Sequence, residues 1–156
     1  MLEEEIGSAM YITSLAWKRT PLGDPSSSFD DMKIYLGLCD SDVLGTDFES
    51  NYVPGTKTLV FSEAPFTISA GADEWAVIEL DTPFWYNGQD NLIVEVTWPD
   101  GAGTFYVYRW ATGSDRTLEA PYGSSTGMTG QEVPHMQLIG DLGLDGCSFG
   151  RLKVSF

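Results

Sequence analysis

The sequence predicts an all-β domain: a two-sheet antiparallel β-sandwich with a jelly-roll-like arrangement. Two observations lead there. Seventeen glycines and eight prolines in 156 residues interrupt the chain too often for a long amphipathic helix. The segments left between these breakers are strand-length and rich in aromatic and β-branched residues, and several alternate apolar with polar positions.

The first such segment covers residues 10–18, MYITSLAWK. The next, MKIYLGL at 32–38, would place Met32, Ile34, Leu36 and Leu38 on one face. Short strands are expected at 58–61 and 65–69. In WAVIELD, 75–81, Ala76, Ile78 and Leu80 share a side. Pro83 cannot supply a ladder N–H and is expected to end that strand, leaving Phe84, Trp85 and Tyr86 to cross an edge of the sandwich. Asn87 and Gly88 tolerate positive φ and mark a tight turn, with Asp90 and Asn91 positioned to satisfy nearby amides.

NLIVEVTW, 91–98, alternates most cleanly: Leu92, Val94, Val96 and Trp98 oppose Asn91, Glu95 and Thr97, with Ile93 out of phase. That is the pattern of an antiparallel strand wet on one side. TFYVYRW, 104–110, is apolar on both faces, with a short partner expected at 116–119. Segments 133–139, VPHMQLI, and 151–156, RLKVSF, complete the set. A closed barrel is the competing architecture. The uneven connections at 20–30, 40–55 and 111–130 favour the sandwich instead. Residues 1–140 are expected to form the sandwich domain. Residues 141–156 read as a glycine-rich joint and a terminal strand, docked on the same domain or placed in a neighbouring copy.

The formal charge is −15, from 23 acidic and 8 basic residues. The basic residues are scattered, so neither nucleic acid nor an anionic membrane is an expected partner. No stretch is apolar for long enough to cross a bilayer. The opening MLEEEIGSAM is acidic where a secretory signal would be basic. Of the two cysteines, Cys39 and Cys147, neither sits in a CxxC pair or at metal-ligand spacing; they are read either as one disulfide or as buried thiols.

In their order along the chain, four segments carry a resemblance: EIGSAMYITSLAWK, MKIYLGLCD, TLVFSEAPFTISAGADEWAVIELDTPFWYNGQDNLIVEV and VPHMQLIG. Of these, 80–96 is the most distinctive portion. The chain resembles β-sandwich modules of large secreted bacterial proteins, found beside cell-surface attachment or carbohydrate-related domains. The similarity spans residues 5–140. It implies an accessory or adhesive unit that is extracellular or on the cell surface.

Candidate ligand-binding residues are aromatic. Tyr106, Tyr108 and Trp110 would share one side of their strand, opposite Phe105, Val107 and Arg109. Flat rings with polar tips suit sugar faces or a protein partner, unless one set fills the core and the loop at 111–130 covers the other. Trp85, Tyr86 and Trp75 form a second group. Asp40, Asp42 and Asp47 could give oxygens to a structural calcium. They miss the calcium-loop pattern at Leu44 and Asn51, so solvated loop carboxylates are the plainer reading. No motif demands a cofactor.

Catalysis has little support. His135 is the single histidine, and no nucleophile elbow, phosphate loop or HExxH helix occurs. Glu74, Glu79 and Glu95 are carboxylates with nothing to distinguish them. Two functions therefore compete. One is a non-catalytic extracellular module that binds carbohydrate or a cell-surface partner through exposed aromatics. The other is a structural subunit or adhesin repeat that assembles with copies of itself through strand edges or its C-terminal strand.

Overall fold

The computed structural model describes residues 1–141, together with the backbone course of 151–155. Short antiparallel strands dominate it. In chain order they are β1 (Met10–Gly23), β2 (Ser26–Phe29), β3 (Met32–Cys39), β4 (Thr58–Glu63), β5 (Phe66–Ser69), β6 (Trp75–Tyr86) and β7 (Asn91–Thr97). There follow β8 (Gly101–Ala102), β9 (Phe105–Val107), β10 (Arg109–Ala111), β11 (Thr117–Glu119), β12 (Met128–Gly130), β13 (Glu132–Pro134), β14 (Met136–Asp141) and β15 (Arg151–Ser155). A single turn of helix, α1 (Glu3–Ile6), precedes them, and a 3-10 turn spans Glu49–Asn51. No helix among the described residues is long and apolar enough to cross a membrane.

One sheet runs β15-β14-β1-β6, with β9 beside the far end of β1. A second runs β4-β3-β7, and β5-β2-β8 forms a third. Two small ribbons, β10-β13 and β11-β12, complete the arrangement. Every pairing is antiparallel, and no sheet closes into a barrel among the described residues. The protein is thus all-β and sandwich-like, with several antiparallel sheets.

A single hydrophobic cluster joins the two larger sheets. It takes Met10, Ile12, Leu15 and Trp17 from β1, Ile78, Phe84 and Tyr86 from β6, and Leu138 from β14. The opposing sheet contributes Met32, Ile34 and Leu36 from β3, Val60 and Phe61 from β4, and Leu92 from β7. Alternation in β3 and β7 places these side chains on one face, as the sequence pattern requires.

Three sequence expectations need correction. The strand β6 does not stop at Pro83. Ile12 pairs with Phe84 and Ser14 with Glu79, so residues 80–83 of β6 stand opposite Thr13 alone. In such a bulge Pro83 needs no ladder N–H, and the strand resumes beyond it. The segment 104–110 is interrupted at Tyr108, and β9 and β10 pair with different partners. Trp98 lies beyond the end of β7 and is 45 % exposed, with its ring against Phe29 at 5.3 Å. Gly140 and Asp141 belong to β14, where they pair with Ile12 and Tyr11. Within the same chain, β15 pairs with β14. The remainder of the glycine-rich stretch, 142–150, lies outside the described residues.

The turn after β6 forms as its residues dictate. Asn87 Oδ1 accepts hydrogen bonds from the N–H groups of Gln89 and Asp90, at 3.0 and 3.1 Å. Gly88 has φ +71°, and a Cβ there would meet Ala9 N at 2.5 Å. Asn91 then acts as a buried hub. Its Oδ1 accepts Glu3 N–H at 2.8 Å, and its Nδ2 donates to Ser41 O and Asp42 Oδ1, each at 3.0 Å.

Candidate functional site

The strongest candidate is a partly exposed aromatic patch gathered around His135. Backbone pairing assembles it. Lys18 N donates to His135 O at 3.0 Å, Tyr108 N donates to Lys18 O at 2.9 Å, and His135 N donates to Tyr108 O at 2.7 Å. Three distant parts of the chain thereby meet at the edge of β1. From the other side, the turn before β6 docks on β1: Asp73 N donates to Arg19 O at 3.1 Å, and Arg19 N to Glu74 O at 2.9 Å. Asp73 takes the left-handed conformation, φ 62°, and the Glu74 carboxylate accepts Gly71 N–H at 3.0 Å. Trp75 is consequently paired with Lys18.

The side chains interlock. His135 meets Trp75 edge-on at 5.1 Å between ring centroids, and Trp110 at 5.4 Å. The Lys18 ammonium lies 5.8 Å from the Trp75 ring and 6.0 Å from that of Tyr108. The Tyr108 hydroxyl donates to Asp73 Oδ1 in a short hydrogen bond. This acceptor raises the phenol pKa. Burial, and then the Lys18 charge, lower the pKa of His135, which favours a neutral imidazole with one donor and one acceptor nitrogen. Ring faces flanked by a carboxylate, an ammonium and a neutral imidazole can stack on an apolar ligand surface and hydrogen-bond at its rim.

The sequence candidates divide accordingly. Tyr108 and Trp110 belong to the patch, as does Trp75. Among the described residues, no ring contact joins Tyr106 or Trp85 to it. Tyr106 is 53 % exposed elsewhere on the surface. Trp85 pairs with Tyr11 at 4.7 Å, and both rings are about half exposed. Tyr86 requires correction as a ligand-binding residue. Alternation along β6 turns it inward with Phe84, and its hydroxyl donates to Asp90 O at 2.8 Å. Burial pushes that phenol up to about 12. Sequence reasoning missed Lys18, Asp73 and His135. Only the strand pairings that bring residues 18, 73, 108 and 135 together reveal them.

The acidic candidates are engaged with the protein itself. Asp42 accepts from Asn91, and Asp47 Oδ1 accepts Ser50 N–H at 2.8 Å at the 3-10 turn. Hydrogen bonding from Ser50 holds the Asp47 carboxyl below the usual range. Asp40 is an exposed loop residue. Among the described residues no group of three or more His, Cys, Asp or Glu is placed to hold a metal ion. Cys39 is a buried free thiol whose Sγ lies 3.4 Å from Ser41 N and 3.3 Å from Ser41 O. Cys147 lies outside the described residues.

Of the carboxylates, Glu79 accepts the Ser14 hydroxyl at 2.6 Å. Glu95 accepts the Tyr52 hydroxyl at 2.9 Å and the Lys57 ammonium at 3.1 Å, while Lys57 also reaches Glu49 at 2.5 Å. Burial and then the Glu95 charge drive the Tyr52 phenol far above its ordinary pKa. The Lys57 ammonium also sits over the rings of Tyr35 and Tyr52, at 4.9 and 5.0 Å. Each charge in this group is answered locally.

A cleft of about 350 Å³ opens behind Trp110. Val94, Val96, Trp17, Val107, Val133 and Met136 contribute apolar wall. At one end, Arg116 makes a two-pronged ion pair with Glu5, Nη1 to Oε1 at 2.9 Å and Nη2 to Oε2. Glu5 also accepts Leu2 N–H at 2.8 Å. Burial opposes ionisation of Glu5, but Arg116 and Leu2 outweigh it and lower its pKa. No family model matches the chain, and no curated protein and no solved structure matches it either.

Proposed function

We propose that the chain is a non-catalytic extracellular module that binds carbohydrate through the Trp75–Tyr108–Trp110–His135 patch. In this reading it is a two-sheet, jelly-roll-like sandwich belonging to a large bacterial surface protein. One observation carries the proposal. Trp75 of β6 and Trp110 of β10 both meet His135 edge-on, Tyr108 stands beside them between β9 and β10, and the rings remain partly open to solvent while Asp73 and Lys18 hold polar groups at their rim. A purely structural cluster would gain most by complete burial, whereas Tyr108 stays 37 % exposed. The engagement of Glu79 and Glu95 with neighbouring side chains supports a binding role over hydrolysis, which needs two free carboxyls flanking a sugar bond.

A broad glycan screen, followed by titration calorimetry on any hit, tests this reading. Tyr108→Ala and Trp110→Ala should each weaken binding by at least about tenfold, a loss on the scale of one good ring contact. Their far-ultraviolet spectra should match the parent protein. The reading fails if the parent binds no glycan, or if both variants bind as it does.

A further inference from the structure

The strand β7 is the outer member of its sheet, paired with β3 on one side alone. Along an antiparallel strand every second residue turns both its N–H and its C=O away from the partner. Leu92 fixes the phase: its N donates to Met1 O at 2.9 Å, and its O accepts from Met1 N at 2.8 Å. Val94 and Val96 share that phase. Among the described residues, neither has a backbone partner on the outward side. Both valines line the cleft, whose other walls include Trp17, Val107 and Trp110.

This edge lacks the usual safeguards. Natural edge strands are blunted by proline, lysine or a bulge. NLIVEVT contains neither residue, and its register with β3 runs without a shift. Its one charged residue, Glu95, has its carboxylate bound by Tyr52 and Lys57. What remains is a short row of unpaired amides beside an apolar trough.

We propose that this edge is a strand-addition site for an extended peptide of another protein, apolar at alternate positions and basic between them. Met1 demonstrates the geometry, since its backbone nitrogen and carbonyl already pair with those of Leu92. Continuing along Val94 and Val96, an added strand would form main-chain hydrogen bonds and turn every second side chain toward Trp17, Val107 and Trp110. Basic intervening residues suit the chain's charge of −15; of the carboxylates in the lining, Glu5 and Glu119 already meet Arg116 and Arg109, and Glu95 meets Lys57. A second copy of the chain, itself carrying a charge of −15, is the less suitable occupant.

The full chain is titrated with a synthetic Lys-Val-Lys-Val-Lys-Val peptide while amide hydrogen exchange is followed residue by residue. Saturable binding should slow exchange at Val94 and Val96 by roughly tenfold or more, since those amides gain partners. The same peptide N-methylated at alternate amides should bind at least about tenfold more weakly. Val94→Pro should weaken binding similarly, because its lost N–H faces outward rather than toward β3. Should that variant not fold, the N-methylated peptide provides the same test on the parent chain. Unchanged exchange at both valines, or equal binding of the N-methylated peptide, would overturn the site. Equal binding of a Glu-Val repeat would overturn the chemistry assigned to the occupant. Self-association that protects the same amides would replace that occupant with a second copy.

Discussion

His135 illustrates how neighbours set the behaviour of one residue. Its imidazole lies between Trp75 and Trp110, and burial by these rings penalises the charged form. The Lys18 ammonium acts in the same direction. With the folded pKa depressed below 6.5, the unfolded chain takes up the proton first as pH falls. This residue therefore favours the folded state above that value, and its contribution is lost between 6.5 and the lower folded pKa. Nuclear magnetic resonance titration should place the His135 midpoint below that of a model histidine. Lys18→Met should move the midpoint upward, but only partway, because burial remains. A midpoint unaffected by Lys18→Met would show that the ammonium spends its time away from the patch. Nothing in VPHMQLI signals this setting. The segment reads as an ordinary strand, and the histidine's neighbours are supplied by residues 18, 75 and 110.

At the level of strands, composition was legible where side chains carry the pairing. The alternation in MKIYLGL and NLIVEVT marks β3 and β7 because their buried faces are built from their own apolar residues. By contrast SSSF, GA and MTG have no such pattern, yet form β2, β8 and β12 through backbone pairing with neighbours. The same limit explains Pro83, whose place in β6 depends on the bulge that Thr13 leaves open. Gly140 shows how close one strand can approach another. A Cβ on Gly140 would lie 2.0 Å from Tyr11 O and 2.6 Å from Met10 Cε, and the carbonyl belongs to paired backbone that cannot rotate aside. Gly140→Ala should therefore push β14 from β1 at the irregularity between Ile12 and Ser14, costing about 2–3 kcal/mol. Urea denaturation would measure this as a lower midpoint with an unchanged slope. A midpoint equal to the parent's would mean that the bulge absorbs the methyl group.

Across the whole molecule, one core holds the larger sheets together while an excess of negative charge pushes against it. The cleft beside β7 was not visible in the sequence, since its walls come from segments separated by as many residues as divide Trp17 from Val133. The charge was visible from the start. With 23 acidic and 8 basic residues, most carboxylates have no cation to meet; the Glu5–Arg116 pair and the Lys57 group are local exceptions. Like charges crowd more closely in the folded protein than in the unfolded chain, so their repulsion lowers stability. Salt shortens its reach to about 10 Å at roughly 0.1 M, whereas the half-buried Glu5–Arg116 pair is screened much less. Raising sodium chloride from a few millimolar to about 0.15 M should thus raise Tm by roughly 2–5 °C and then level off. The cation's identity should matter little if screening is the cause, so sodium, potassium and calcium at matched ionic strength should give similar curves. A sharp rise at micromolar calcium would instead point to a bound ion, with Asp40, Asp42 and Asp47 the first positions to substitute. A steady fall in Tm with salt would mean that paired charges, rather than the unpaired excess, dominate the electrostatics of folding.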